Sequence, residues 1–360
     1  METYRKNRSR EKSILSTISH KLLSFLTTNK LIQSIIITLL ILPALFSCVQ
    51  KDAIPKDRAI ETKVIISDNA DTDRCGQLDI FTFDSDGTGL LDSYEHMEGF
   101  TGNSIGIRSQ TGDKHIFICM NGQRARYGWT DINSLQALEN VHIELQNERR
   151  DALCSTGSCE ITAGSTFPGR VEMRKMACEI FLNSIRSDFK GKAYQGSMIT
   201  DVKAYLTNVN CRCSLAADGD ILPLSIVNAG RNDPEDLADL VEPDMLFRKI
   251  AHDIGNNRIY PEISFICYPN ASPEEGPGTP FTRLVIEGKI EGETFWWPID
   301  INREEGNENP GIHRNTRYIF DIDIKRKGSS DPDTTVDTEA AEIHMNIRQW
   351  KEKEEQHVIF

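Results

Sequence analysis

Past residue 46 the sequence has no long apolar run, and before it there is only one. Residues 31–46 are broken only by Gln33, Ser34 and Thr38, and at about 16 residues the run is shorter than the roughly 20 a spanning helix needs. The residues after Ser47 are polar and charged, unlike a stop-transfer anchor. Arg5, Lys6, Arg8, Arg10, Lys12, Lys21 and Lys30 precede the run. The basic end therefore stays cytoplasmic while the apolar run inserts and is removed as a signal, residues 1–47.

Basic charge is scarce in the remainder. Removing residues 1–47 takes seven of the 41 bases and two of the 54 acids, Glu2 and Glu11, and leaves 34 against 52, a net charge of −18. Such a surface repels phosphate backbones, so no nucleic-acid partner is expected.

Catalytic and metal motifs are also missing: there is no His-Glu-x-x-His, phosphate-cradling glycine loop or Cys-x-x-Cys pair. A zinc site would need a second Cys/His pair at matching spacing. Gly102-Asn103-Ser104-Ile105-Gly106 spells a nucleophile elbow, but that device needs a helix leaving the serine. Here the next run, residues 114–120, reads as a strand, and the pentapeptide reads as a solvated loop. Asp84-Ser85-Asp86-Gly87 fails as a calcium loop, because Thr82 and Ser93 would fall where a carboxylate and a bidentate glutamate belong. Neither an enzyme nor a cofactor is expected.

What is present begins with Cys48. Leu45-Phe46-Ser47-Cys48 resembles a lipobox, with leucine at −3 and a small residue at −1. Cleavage after Ser47 would make Cys48 the lipid-bearing N-terminus, and two or more acyl chains, palmitate among them, give stable anchoring where one does not. The alternatives are an ordinary secretory signal beside an incidental cysteine, or an uncleaved anchor. Eight other cysteines remain, an even number that permits pairing in an oxidising compartment. Cys154 and Cys159 could staple a turn across Ser-Thr-Gly-Ser. Cys211 and Cys213 share a strand face, and Cys119 and Cys178 read as buried hydrophobes.

Residues 48–60 form a polar tether. Beyond it, short runs of alternating apolar residues recur at 62–66, 78–83, 114–120, 141–145, 171–181, 199–206, 221–227, 263–268, 283–287, 294–299, 317–325 and 342–347, with turn residues between nearly all. Only residues 130–140 and 234–250 look helical, the second opening with Asp233 as cap and Pro234 in the first turn, and interrupted by Pro243. Many strands and few helices predict an all-β protein of β-sandwiches decorated by short helices. The mature length suggests two domains, residues 61–190 and 191–360, divided in the glycine-bearing segment 187–195.

Several of these runs, taken in order, resemble the fimbrillin superfamily of Bacteroidales-type (type V) pili. They are Leu78-Asp79-Ile80-Phe81-Thr82-Phe83-Asp84, Leu91-Asp92-Ser93-Tyr94, the strand ending at Asn121, Arg283-Leu284-Val285-Ile286-Glu287-Gly288, Trp297-Pro298-Ile299, Arg314-Asn315-Thr316-Arg317-Tyr318, Gly328-Ser329-Ser330-Asp331-Pro332-Asp333, and the terminal strand leading to Trp350. The resemblance implies two transthyretin-like or Ig-like β-sandwiches in a lipoprotein held in the outer membrane at the cell surface. Such a protein serves as a fimbrial subunit and joins other fimbrial subunits by strand exchange in cell adhesion. It also implies proteolysis after an arginine. A cut at Arg74 would remove the first strand, whereas a cut at Arg58 would only release the lipid.

The donor strand implied is residues 342–360, with Ile343, Met345 and Ile347 alternating and Val358, Ile359 and Phe360 at the end. An internal edge strand with a charged tail is the other reading. An anchor or accessory subunit is favoured over a stalk subunit, because no single arginine stands out. Phe295-Trp296-Trp297-Pro298 supports an alternative, a surface lipoprotein that stacks a glycan on one tryptophan; the host or glycan ligand is left open.

Overall fold

The computed structural model describes residues 59–67, 76–122, 124, 126–304, 306–336 and 340–350. Ser47, Cys48, Arg58, Arg74, Cys75, Val358, Ile359 and Phe360 lie outside the described residues.

Period-two burial makes the first strand. In β1 (Ile60–Ser67) Thr62, Val64 and Ile66 are buried while Glu61, Lys63 and Ser67 are exposed, as an extended chain with one face on a core must be. Next come β2 (Gln77–Asp84), β3 (Leu91–Glu98), β4 (Ser104–Ser109) and β5 (Asp113–Met120). The short helix α1 (Leu135–Glu139) follows, then β6 (His142–Glu144), β7 (Ser155–Thr162), β8 (Gly169–Glu172) and β9 (Arg174–Lys175).

The second half opens with β10 (Cys178–Ser187), β11 (Thr200–Thr207), β12 (Val209–Asn210), β13 (Arg212–Ser214) and β14 (Ile226–Val227). After α2 (Pro234–Ala238) come β15 (Phe247–Lys249), β16 (Ile263–Cys267), β17 (Arg283–Ile290), β18 (Glu293–Asp300), β19 (Thr316–Ile324) and β20 (Ala341–Gln349).

A three-stranded sheet, order β4-β1-β8, covers one face of a five-stranded sheet, order β3-β2-β5-β7-β9. Val64, Ile66, Ile105, Ile107 and Val171 from the small sheet meet Leu78, Ile80, Ile116, Ile118 and Met120 from the large one in a single apolar cluster. The other face of the large sheet is apolar as well. Phe81, Phe83, Phe117 and Cys119 pack with Trp129 and Leu138, and this layer continues into the core of the second sandwich. That sandwich pairs the sheet β16-β10-β19-β20 with the sheet β15-β11-β17-β18.

The structure departs from the sequence reading in several places. The helix expected over residues 130–140 is only α1, capped by Ser134, whose hydroxyl accepts from the Ala137 amide at 3.2 Å. The one expected over 234–250 stops at Ala238, and Pro243 starts a separate 3₁₀ turn before β15, because proline cannot donate to a continuing ladder. Asp233 does cap α2, accepting from the Glu235 amide. The single run at 171–181 is three strands, since the chain changes sheets there.

Ser104 sits in β4, paired with Ile65, where the sequence suggested a loop. The segment containing Cys154 and Cys159 runs into the extended strand β7, so it forms no turn to staple. β10 precedes the expected boundary at residues 190 and 191, yet it pairs with β16 and β19 of the second sandwich.

Candidate functional site

β1 is the middle strand of its sheet. On one side it runs antiparallel to β4, from Ile60 opposite Ser109 to Ile65 opposite Ser104. On the other it runs parallel to β8, with Val64 opposite Gly169 and Ile66 opposite Val171. The Ile66 amide donates to the Asn103 carbonyl at 2.8 Å, and the Thr62 hydroxyl accepts from the Gly164 amide at 2.9 Å. Val64 is fully buried and Ile66 almost so, each stabilising the fold by about 1.5–3 kcal/mol.

β4 and β8 touch the small sheet only through β1. Withdrawing β1 would therefore leave two unpaired edges flanking an apolar trough floored by Leu78, Ile80, Ile116 and Ile118. A trough of that kind accepts a strand, which supplies main-chain hydrogen bonds to both edges and an apolar side chain at every second position.

The C-terminal strand has the complementary pattern. β20 is an edge strand, paired antiparallel with β19 from Ala341 opposite Ile324 to Gln349 opposite Thr316. Ile343 and Met345 pack partly against the second core, while Ile347 is 47% exposed. The three alternating residues thus share a face, but they complete the protein's own second sandwich and do not approach the trough. Trp350 ends the strand, 8% exposed, with its amide on the Asn315 carbonyl and the Lys175 ammonium 5.3 Å from its ring centroid.

Two arginines organise residues that the resemblance had singled out without assigning them a role. Arg314 is 4% exposed and donates to the carbonyls of Arg174 (2.6 Å), Ala217 (2.8 Å), Lys175 and Thr156 and to the Thr156 hydroxyl. It therefore ties β7 and β9 to the start of β19, and Asn315 accepts from the Lys175 amide beside it. Burial draws the Arg314 guanidinium pKa below its ordinary value. Arg283, at 4% exposed, is held by Asp300, Asp333 and Glu275 at 2.6–2.8 Å. The run ending at Asp333 is thereby fixed onto β17. Sequence offers only the isolated charges; neither partner set is near in the chain.

The tryptophan pair resolves by strand alternation. Trp297 is fully buried, with its ring N–H on the Arg326 carbonyl at 3.0 Å, whereas Trp296 is half-buried and its backbone bridges to Ser329. Pro298 is tolerated because β18 is an edge strand. Among the described residues no group of three or more His, Cys, Asp or Glu is arranged to hold a metal.

One buried carboxyl stands apart. Glu148, 2% exposed, accepts from the Tyr268 hydroxyl at 2.8 Å and from the Cys154 amide at 3.0 Å. Burial raises its pKa to about 7, and the two donors oppose that shift only in part.

Two β-sandwiches in series, one with a removable central strand, define the architectural class. Among solved structures the chain is similar to a candidate cell adhesion protein from Parabacteroides distasonis ATCC 8503 at a TM-score of 0.62 and 14% identity, covering 82% of this chain and 97% of that one. A candidate cell adhesion protein from Bacteroides eggerthii DSM 20697 matches at 0.61 and 16%, covering 81% and 96%. A fimbrilin from Porphyromonas gingivalis W83 matches at 0.57 and 14%, covering 81% and 97%. At these identities the likeness establishes a shared fold over nearly the whole of each neighbour. No family model matches the sequence, and no curated protein does.

Proposed function

We propose that this chain is a structural subunit of a cell-surface fimbrium, anchored in the outer membrane through lipid on Cys48 and joined to other fimbrial subunits by strand exchange. The observation that carries the reading is the position of β1. It is the central strand of its sheet, and in the sequence it lies between Arg58 and Arg74. A cut at Arg74 frees the strand and opens the trough; a cut at Arg58 leaves it in place. The fold shared with a fimbrilin and with candidate adhesion proteins supports the same reading.

An anchor or accessory position is favoured over the stalk as long as β1 stays in place. The donor is β20 with the residues after it, ending in Val358, Ile359 and Phe360. The proposed role is mechanical and adhesive, with no catalytic step. A glycan-binding lipoprotein is the weaker alternative, because burial of Trp297 leaves only Trp296 to meet a sugar.

The test is to sequence the N-terminus of protein taken from cells, and to treat the purified chain with an arginine-specific protease. A detergent-resistant ladder that appears after cleavage and is lost in Arg74→Ala or on deleting residues 358–360 supports strand exchange. Ladders that form equally well in both variants would sink it.

A further inference from the structure

Cys178 opens β10 and Cys267 closes β16, and the two stand directly opposite each other in the antiparallel ladder. Both are fully buried, and their Sγ atoms are 3.3 Å apart. Opposed residues in such a ladder hold their Cα atoms about 4.5–5.5 Å apart, inside the roughly 4.4–6.8 Å that disulfides span. Rotation about the two Cα–Cβ bonds is enough to bring the sulfurs together, and the backbone can stay where it is.

The other described cysteines do not define a pair so uniquely. Cys119 and Cys154 lie 3.7 Å apart, but Cys213 also faces Cys154 closely enough to feel its charge. Cys159 lies on the opposite face of β7, against the first core.

We propose that Cys178 and Cys267 are joined as a disulfide in the exported protein, made while the chain folds. The chemistry requires an oxidant of the disulfide-exchange class. One cysteine thiolate attacks the oxidant's disulfide, forming a mixed disulfide and expelling one of its sulfurs as a thiol. The second cysteine thiolate then displaces the other sulfur. Two protein thiols give up two protons and two electrons, and the oxidant's disulfide becomes two thiols. The reaction belongs to folding, because in the native protein both sulfurs are sealed from a reagent of that size.

The bond would close a ring containing β10 to β16. β16 is an edge strand whose only sheet neighbour is β10, so the link pins the strand most easily peeled from that sheet. β1, β4, β8 and β20 all lie outside the ring. The second sandwich would then be locked while the first remains free to exchange its strand.

The inference rests on the export reading, and the test has two arms. In the first, purified chain is reduced, unfolded and refolded with oxidised glutathione, then alkylated and digested without reduction. The expected product is a linked peptide pair carrying Cys178 and Cys267, lighter by two hydrogens than the sum of its halves. Folded protein with both residues alkylated overturns the proposal.

In the second arm, the same mapping is applied to protein acid-trapped from cells. The linked pair there supports the proposal. Free thiols in cells, with the link formed in vitro, overturn the exported compartment and leave the geometry sound. Reduction should lower the melting temperature by about 5–10 °C, and Cys178→Ala/Cys267→Ala should abolish that response. A double variant that still responds fully would assign the effect to another pair and overturn the proposal.

Discussion

Val64 of β1 and Gly169 of β8 face each other across a parallel ladder, and a Cβ added to Gly169 would lie 3.3 Å from Val64 and 2.6 Å from Ile161. The groove that holds β1 is therefore cut to the width of a strand without a side chain on its β8 wall. Any replacement strand bringing a β-branched residue to the Val64 position depends on the same glycine.

Gly169→Val should destabilise the first sandwich by about 1–3 kcal/mol, because an overpacked core must shift its neighbours. Denaturant unfolding measures it. If strand exchange occurs, the same variant should also slow ladder growth, which gel densitometry reads.

Arg314→Lys should cost on the order of 3 kcal/mol. Lysine carries three donors where arginine has five in a fixed fork, so buried carbonyls among Thr156, Arg174, Lys175 and Ala217 lose their partner. Hydrogen exchange should rise at β9 and at the start of β19 together, because Arg314 joins them. Unchanged protection in both would refute the joining role.

Stability should fall as pH rises from about 4.5 to about 7. Glu148 has a folded-state pKa of about 7 against an ordinary 4.5, so the folded form favours the protonated carboxyl. That contribution is fully present below 4.5 and is lost as pH passes 7, to the extent of about 3 kcal/mol. Glu148→Gln keeps an acceptor for the Cys154 amide and offers a donor to the Tyr268 oxygen. Thermal melts across this range should flatten in the variant, and it should be the more stable protein at pH 8.

Trp297→Ala should lose about 3–5 kcal/mol, as large aromatic deletions in a core do. Trp296→Ala should cost much less. Binding to a glycan array that vanished in Trp296→Ala while the fold persisted would favour the glycan-binding alternative over the fimbrial one.

Most strands were legible because each carries one apolar face. β1, β2, β5, β11 and β16 to β20 all follow period-two or fully apolar runs, and turn residues bound them. β4 and β7 were not legible. Ser104-Ile105-Gly106-Ile107 is short and glycine-bearing, and Ser155-Thr156-Gly157-Ser158 is nearly all polar. β4 is a strand because β1 offers it a ladder, and β7 because β5 does. Gly157 is required there since a Cβ would meet the Glu172 carbonyl.

The candidate site divides in the same way. Alternation in residues 62–66 and 343–347 marked a strand at each end of the chain. That one is central and the other an edge is visible only in the pairing.

By itself the sequence determined an acidic, strand-rich chain behind a cleavable signal, with Cys48 where a lipid would go. Those properties are local, set by hydropathy, charge and spacing along a few residues. The tertiary structure decided which strand is held between two others, that Trp297 is core, and that Cys178 faces Cys267. Each of these depends on register between segments far apart in the chain, and register is fixed by the packing of whole sheets.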